Sequence, residues 1–205
     1  MTAAGYDRPA LGVLGGSFNP PHLGHLVIAS DAWTQLGLER VLFVPAAAPP
    51  HKHVADGVSA DVRLEMTRRA IAGDDRFAVS PLEIEQRLRY TVDTVTALRA
   101  AYPEHRLDFI IGSDSLLQFA TWHRPQAILA VCRLAVAYRP GDDRSAVAEA
   151  RAAWGSERVV LLDNVGVGVS SSLLRERVRR EESLRYLVPP AVDELIAELG
   201  LYRAP

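Results

Sequence analysis

The sequence predicts an α/β protein: a doubly wound parallel sheet with helices on both faces. Three observations carry that prediction. Short apolar runs alternate with segments of helical period along all 205 residues, the pattern of strands joined through helical crossovers. The apolar runs are continuous rather than alternating, as in strands covered on both faces. No linker, repeat or low-complexity tract interrupts them, so residues 1–205 are expected to form one domain, with 1–9 a candidate flexible N-terminus.

Each element has its own signal. Residues 11–14 are apolar and bounded by glycine, a buried strand. Residues 22–36 have helical period, with Leu26, Ala29 or Ser30, Trp33 and Leu36 on one face and Gly37 as the stop. Residues 40–44 form the next strand, ended by Pro45, and the Ala-, Pro- and His-rich stretch 46–59 is a loop long enough to suggest function. Helix is expected at 60–72, strand at 77–81, helix at 91–101 and strand at 107–111. A helical stretch opens at Ser113 and runs to about Phe119, and helix 124–130 leads to strand 133–138. Helix 142–154, strand 158–162 and helices 170–180 and 190–199 complete the alternation. In such sheets ligands bind beyond the carboxyl ends of the strands, where strand order reverses. Segments 15–25, 46–53 and 112–114 and the loop before Ser170 should open on that edge.

Composition narrows the classes of function. Apolar residues make up 48% of the chain and the net charge is −2, so neither a general nucleic-acid surface nor a membrane surface is indicated. Residues 1–9 lack an apolar core of the signal-peptide kind, and no run approaches the ~18 apolar residues of a membrane span. A single cysteine, Cys132, cannot form an internal disulfide and is expected to pack as a small hydrophobe, which favours the cytoplasm. The basic residues are 22 Arg and one Lys, Lys52, set in the segment Pro49-Pro50-His51-Lys52-His53. A solitary ammonium with rotatable donors suits a moving phosphate.

The most informative segment is Gly15-Gly16-Ser17-Phe18-Asn19-Pro20-Pro21-His22-Leu23-Gly24-His25. The glycine pair is expected to turn sharply and approach a ligand closely, and the two prolines stiffen the turn. His22 and His25, three apart at the mouth of a helix, project from one side, where free N–H groups and the helix dipole favour an anion, usually phosphate. The plainer alternative is a tight turn with surface histidines. A zinc site on His22, His25, His51 and His53 lacks a cysteine pair or carboxylate to complete it, and no Gly-x-Ser-x-Gly elbow supports a serine hydrolase.

Later segments repeat the theme. In Ser170-Ser171-Ser172-Leu173-Leu174-Arg175 one serine should cap a helix, and Arg175 opposes the helix dipole unless an anion docks there. Gly112-Ser113-Asp114 follows a strand directly, so Asp114 is a candidate for ribose hydroxyls or for ordering a metal, or one of the pair merely caps the helix. Tyr90-Thr91 carries the same ambiguity. Trp122 is either core or a stacking platform for a flat heterocycle.

Residues 17–25 resemble the (T/S)-x-x-H-x-G-H signature of the nucleotidyltransferase superfamily, with His22, Gly24 and His25 at its H-x-G-H positions and Ser17 five residues before His22. In order, GGSFNPPHLGHL, VLFVPAAAPPHK, Arg63, YTVDT at 90–94, IGSDSL at 111–116, Trp122, VSSSLLR at 169–175 and YLVPPAV at 186–192 resemble bacterial nicotinate-nucleotide adenylyltransferases over nearly the whole chain. The resemblance implies a Rossmann-like nucleotidyltransferase fold. It also implies an enzyme of NAD biosynthesis that joins ATP to nicotinate mononucleotide, with Mg2+, giving nicotinate adenine dinucleotide and pyrophosphate. It implies His22, His25, Lys52 and Arg175 as the catalytic phosphate ligands. ATP would lie against Gly15, Gly16, Ser17, Phe18, His22, His25, Gly112, Asp114, Ser171, Ser172 and Arg175. Nicotinate mononucleotide would lie against Asn19, Lys52, Tyr90, Thr91 and Trp122, and magnesium would be held mainly through phosphates rather than by protein ligands. Partners are these small molecules, with no nucleic acid or membrane, and a homo-oligomer stays open. Pantetheine-phosphate or nicotinamide-mononucleotide adenylyltransferases, and a nucleotide-binding regulator without turnover, are the alternatives. Two departures stand out: Asn19 where many relatives carry Asp, and Glu181-Glu182-Ser183 where a Gly-x-Ser turn is common.

Overall fold

The computed structural model describes residues 8–47, 57–139 and 141–203. Its elements run β1 (Ala10–Gly16), α1 (Leu23–Leu36), β2 (Arg40–Pro45), α2 (Ala60–Ala70), β3 (Phe77–Val79), α3 (Leu82–Gln86), α4 (Thr91–Ala101), β4 (Arg106–Gly112), α5 (Ser113–Leu117), α6 (Pro125–Val131), β5 (Arg133–Ala137), α7 (Arg144–Trp154), β6 (Val159–Leu162), α8 (Ser171–Arg179) and α9 (Pro190–Glu198). The expected alternation holds, with shifted ends: β1 and β4 are longer, α2 stops at Ala70, β3 at Val79, and α7 begins after the Asp143 cap. The stretch beginning at Ser113 splits into α5 and a 3-10 turn over Phe119–Thr121. Helix α3 went unforeseen because five residues after Pro81 are too few to display a period.

All five strand pairings are parallel, in the order β3-β2-β1-β4-β5-β6. The chain therefore builds outward from β1 on one side, returns, and builds outward from β4 on the other. The reversal lies between β1 and β4, and the loops leaving their carboxyl ends splay apart over that crevice.

The sheet buries both faces. Ala10, Leu14, Val41, Phe43, Ile110, Ala135 and Ala137 pack into one core, with residues of α1, α2, α8 and α9. Leu11, Val13, Leu42, Val44, Leu107, Phe109, Leu134 and Val136 pack into the other, with residues of α4, α6 and α7. Helix α1 meets its core through a smaller surface than expected: Gly24, Ala29 and Ala32 are its buried residues, while Leu26, Trp33 and Leu36 pack at the margin. Small side chains bring this helix, which carries the histidines, close to the sheet. Gly12 serves the same end, since a Cβ there would lie 2.7 Å from Leu38. Cys132 is buried, and burial pushes its thiol up to about 12, so it is an inert packing residue. Among the described residues no helix is long and apolar enough to cross a membrane.

Candidate active site

The turn between β1 and α1 works differently from the expectation. Gly15 and Gly16 are the last residues of β1 and neither has a positive φ. They are glycine because of packing: a Cβ on Gly15 would lie 3.2 Å from the Phe109 ring, and one on Gly16 3.2 Å from the Phe18 ring. The turn itself falls on Phe18, at φ 47, followed by a cis Asn19–Pro20 bond. A left-handed Phe is strained by about 1 kcal/mol or more. The fully buried Phe18 side chain holds it there, edge-on to His25 (5.0 Å between centroids) and against Phe43 (5.7 Å). The Phe18 side chain is therefore a packing group and not a ligand contact. Asn19 also turns inward: its buried Oδ1 accepts the Tyr202 hydroxyl at 2.6 Å.

His22 caps α1, and its ring lies 3.7 Å from that of His25, tilted by 35°. The His22 N–H donates to His25 Nδ1 at 3.1 Å. A neutral His25 must then carry its proton on Nε2, leaving that nitrogen a donor. The reciprocal contact misses hydrogen-bond geometry: the His25 N–H donates to the His22 carbonyl (2.9 Å), and His22 Nδ1 is buried without a partner. One expected donor of the helix end is also taken, because the Leu23 N–H donates to the Leu187 carbonyl (3.0 Å).

Neither imidazole is charged at neutral pH. Burial, then the positive charge of Arg139, lowers His22 to about 4. His25 lies well below its ordinary value through burial, then repulsion from His22 and Arg139. Both rings are therefore neutral hydrogen-bonding groups, and the described positive charges are guanidinium groups.

Stability should respond to pH accordingly. Unfolded, His22 takes a proton near pH 6.5, whereas folded it waits until about 4. Its contribution, about 3 kcal/mol, is present above pH 6.5 and lost as pH falls from there toward 4. The difference in melting temperature between pH 7.5 and pH 5 should shrink in His22→Ala; an unchanged difference contradicts this assignment.

The late segment closes on the same turn. Ser170 caps α8, accepting from the Leu173 N–H (3.2 Å). Ser171 donates its hydroxyl to the Pro20 carbonyl (2.8 Å), and Arg175 donates to the Asn19 carbonyl (2.9 Å) and to Ser172 Oγ (3.3 Å). The Arg175 guanidinium is therefore bound to the turn that leads into the imidazole pair. Lys52, with His51 and His53, lies outside the described residues.

At the end of β4, Gly112 caps α5 without a side-chain bond, so neither Ser113 nor Asp114 is the cap. Ser113 donates to Asp142. Asp114 pairs with Arg139 at 3.2 Å. Sequence reasoning missed Arg139. Its signal was a cation immediately beyond the carboxyl end of the β5 run, which acquires meaning only once β5 is known to lie beside β4.

Tyr90, Thr91 and Trp122 gather beside this crevice. Tyr90 caps α4, making Thr91 its first residue rather than its cap. The Tyr90 ring stacks on His123 at 4.3 Å. Trp122 is half-buried, packed on Phe119 (5.3 Å) and edge-on to Phe109 (6.4 Å), the ring that also bounds Gly15. The aromatic corner thus adjoins the turn after β1 through Phe109.

Arg63, singled out in the sequence without a role, holds the loops. Arg63, fully buried, donates to the carbonyls of Ser17 (2.8 Å), Ala46 (2.6 Å) and Ala47 (3.1 Å), joining the segments that leave β1 and β2. Glu83, on α3, accepts the Thr94 hydroxyl (2.7 Å) and the Ala47 N–H; burial raises its carboxyl above the usual range, partly offset by those bonds and by Arg63.

The chain matches the cytidylyltransferase-like family model over residues 13–177. It is 44% identical to a probable nicotinate-nucleotide adenylyltransferase of Trichlorobacter lovleyi, across 94% of this chain and 99% of the relative. A probable nicotinate-nucleotide adenylyltransferase of Exiguobacterium sibiricum is 42% identical over 94% of this chain and 98% of its own. The chain belongs to the cytidylyltransferase-like family, among its nicotinate-nucleotide adenylyltransferases. A solved nicotinic acid mononucleotide adenylyltransferase of Plasmodium falciparum, complexed with NaAD, shares the fold at TM-score 0.78 and 15% identity, covering 95% of this chain and 97% of that one.

The two departures from this family's pattern are both accommodated. Asn19 offers a neutral amide oxygen to Tyr202. Glu181 adopts φ 57, a backbone region that favours glycine, and the Glu182 carboxylate is neutralised by Arg177 at 3.0 Å.

Proposed function

We propose that the protein transfers the adenylyl group of ATP to nicotinate mononucleotide, releasing pyrophosphate and forming nicotinate adenine dinucleotide. The observation that carries this reading is the stacked His22–His25 pair at the sheet's reversal point, with Arg175 bound to the same turn. The acceptor's phosphate oxygen attacks the α-phosphorus of ATP, and the bond from that phosphorus to the oxygen bridging to the β-phosphate breaks. The nucleophile is already ionised, so no base is needed. Catalysis consists of holding two anions in line and meeting the charge that moves onto pyrophosphate.

His25 is suited to donate from Nε2 to that charge. His22 has an unpartnered buried Nδ1 on which an arriving phosphate would favour uptake of a solvent proton, since a neighbouring anion favours the imidazolium. Arg175 is assigned to the triphosphate, and Gly15, Gly16 and Ser17 to the backbone cradle. Lys52 enters this reading from sequence alone. Trp122 and Tyr90, with Thr91, are assigned to the pyridine side, where their aromatic packing supports a flat heterocycle.

Magnesium is proposed to arrive with the triphosphate. Among the described residues no group of three or more His, Cys, Asp or Glu could hold a metal. Such an ion, held through the phosphates, would neutralise their charge. The cytoplasm is the proposed compartment.

Labelled ATP tests the reaction class. Phosphorus label at the α position is expected in the dinucleotide, and label at the γ position in pyrophosphate. Label from the γ position in the acceptor product would overturn adenylyl transfer.

A further inference from the structure

Arg139 and Asp114 stand at neighbouring strand ends, and their backbones are fixed to each other. Asp142 accepts from the Arg139 N–H and from the Ser113 hydroxyl, tying the segment after β5 to the segment after β4. The side chains above this frame are much looser. The Arg139–Asp114 pair is 3.2 Å apart with side chains 59% and 46% exposed, the kind of ion pair that solvent weakens most. Gly112 leaves the space in which they meet: a Cβ there would lie 2.5 Å from Asp114 Oδ1 and 3.3 Å from Arg139 Nε. Asp114 Oδ1 is nonetheless buried without a hydrogen-bond partner, an acceptor that the pair does not satisfy. Arg139 also lies close enough to the imidazole pair for its charge to oppose protonation of both rings.

We propose that this ion pair is the nucleotide-free position of an exchange, in which the polyphosphate of the nucleotide takes the Arg139 guanidinium and thereby releases the Asp114 carboxylate to accept ribose hydroxyls. The inference rests on the adenylyl-transfer reading and adds to it a residue and an order of events. A polyphosphate carries more charge than one carboxylate and matches the guanidinium fork, so it outcompetes Asp114. Once Arg139 faces phosphate, its charge no longer weighs on His22 and His25, and the same anion favours a proton on the unpartnered Nδ1 of His22. Before the nucleotide arrives, the protein thus keeps its positive charge in a pair with Asp114, and the triphosphate unlocks it.

Inorganic tripolyphosphate has no sugar, so it isolates the first half of the exchange. Calorimetric titration is expected to give binding at least tenfold weaker in Arg139→Gln than in wild type, and at least threefold tighter in Asp114→Asn, where the competitor is gone. NMR titration of the imidazoles provides a second readout: His22 and His25 should protonate at higher pH in Arg139→Gln. Equal tripolyphosphate affinity in wild type and Arg139→Gln, or no gain in Asp114→Asn, overturns the exchange. If wild type still releases pyrophosphate from ATP and nicotinate mononucleotide in that case, the adenylyl-transfer reading survives alone; if it neither binds tripolyphosphate nor turns over, both fall.

Discussion

Replacing His25 by Ala is expected to lower kcat by about two to three orders of magnitude, the effect of deleting one preorganised donor from a site where charge develops. The ring is placed by three contacts: the His22 N–H on Nδ1, the His22 ring at 3.7 Å and the Phe18 edge at 5.0 Å. Because Nδ1 is occupied as an acceptor, the Nε2–H cannot move to the other nitrogen and stays available as a donor. Loss of Nδ1 also removes a helix cap, worth about 1 kcal/mol of stability, far less than the expected catalytic loss. The KM for ATP should change much less than kcat, since the interaction strengthens as charge reaches the leaving pyrophosphate. Steady-state kinetics decide it, and a kcat within threefold of wild type would remove His25 from the catalytic set.

Arg63→Met is expected to produce the largest loss of stability among the residues around the site. Its guanidinium is fully buried and joins Ser17 to Ala46 and Ala47. Methionine fills a similar volume but leaves those carbonyls without their donor and Glu83 without a neighbouring charge. Breaking buried charged arrangements of this kind costs about 3–5 kcal/mol, on the order of 10 °C in melting temperature for a chain this long. Arg63→Lys should recover only part, because one ammonium cannot span carbonyls from two loops. Activity should fall in both variants, since the Arg63 contacts set the spacing between the phosphate turn and the loop stem that leads to Lys52. Thermal unfolding and turnover measured on the same samples check this, and an Arg63→Met protein with wild-type melting and kcat would refute it.

What the sequence made legible was the chemistry concentrated in one stretch. His22 and His25 come after a strand and begin a helix, and local spacing suffices to put them together. Arg175 and the serine cap of α8 were legible for the same reason, although their meeting with Asn19 and Pro20 depends on a contact across about 150 residues. The parallel sheet was readable from unbroken apolar runs. Its strand order was not, and everything that depends on strand order was hidden: Arg139 beside Asp114, Phe109 between Gly15 and Trp122, Arg63 between two loop stems. The glycine pair illustrates a subtler limit. A turn was expected at Gly15–Gly16, but what excludes a side chain there is the Phe109 and Phe18 rings, and the positive φ falls on a phenylalanine. Protonation state was likewise not legible. Histidine near phosphate suggests charge, whereas burial and a neighbouring guanidinium hold both rings neutral until an anion arrives.

The central claim is tested most directly by comparing acceptors. With ATP and magnesium fixed, kcat/KM is measured for nicotinate mononucleotide, nicotinamide mononucleotide and phosphopantetheine by pyrophosphate release. The account predicts release with nicotinate mononucleotide at a kcat/KM at least tenfold above that of either competitor. Release that is absent with nicotinate mononucleotide, or faster with phosphopantetheine, would contradict it.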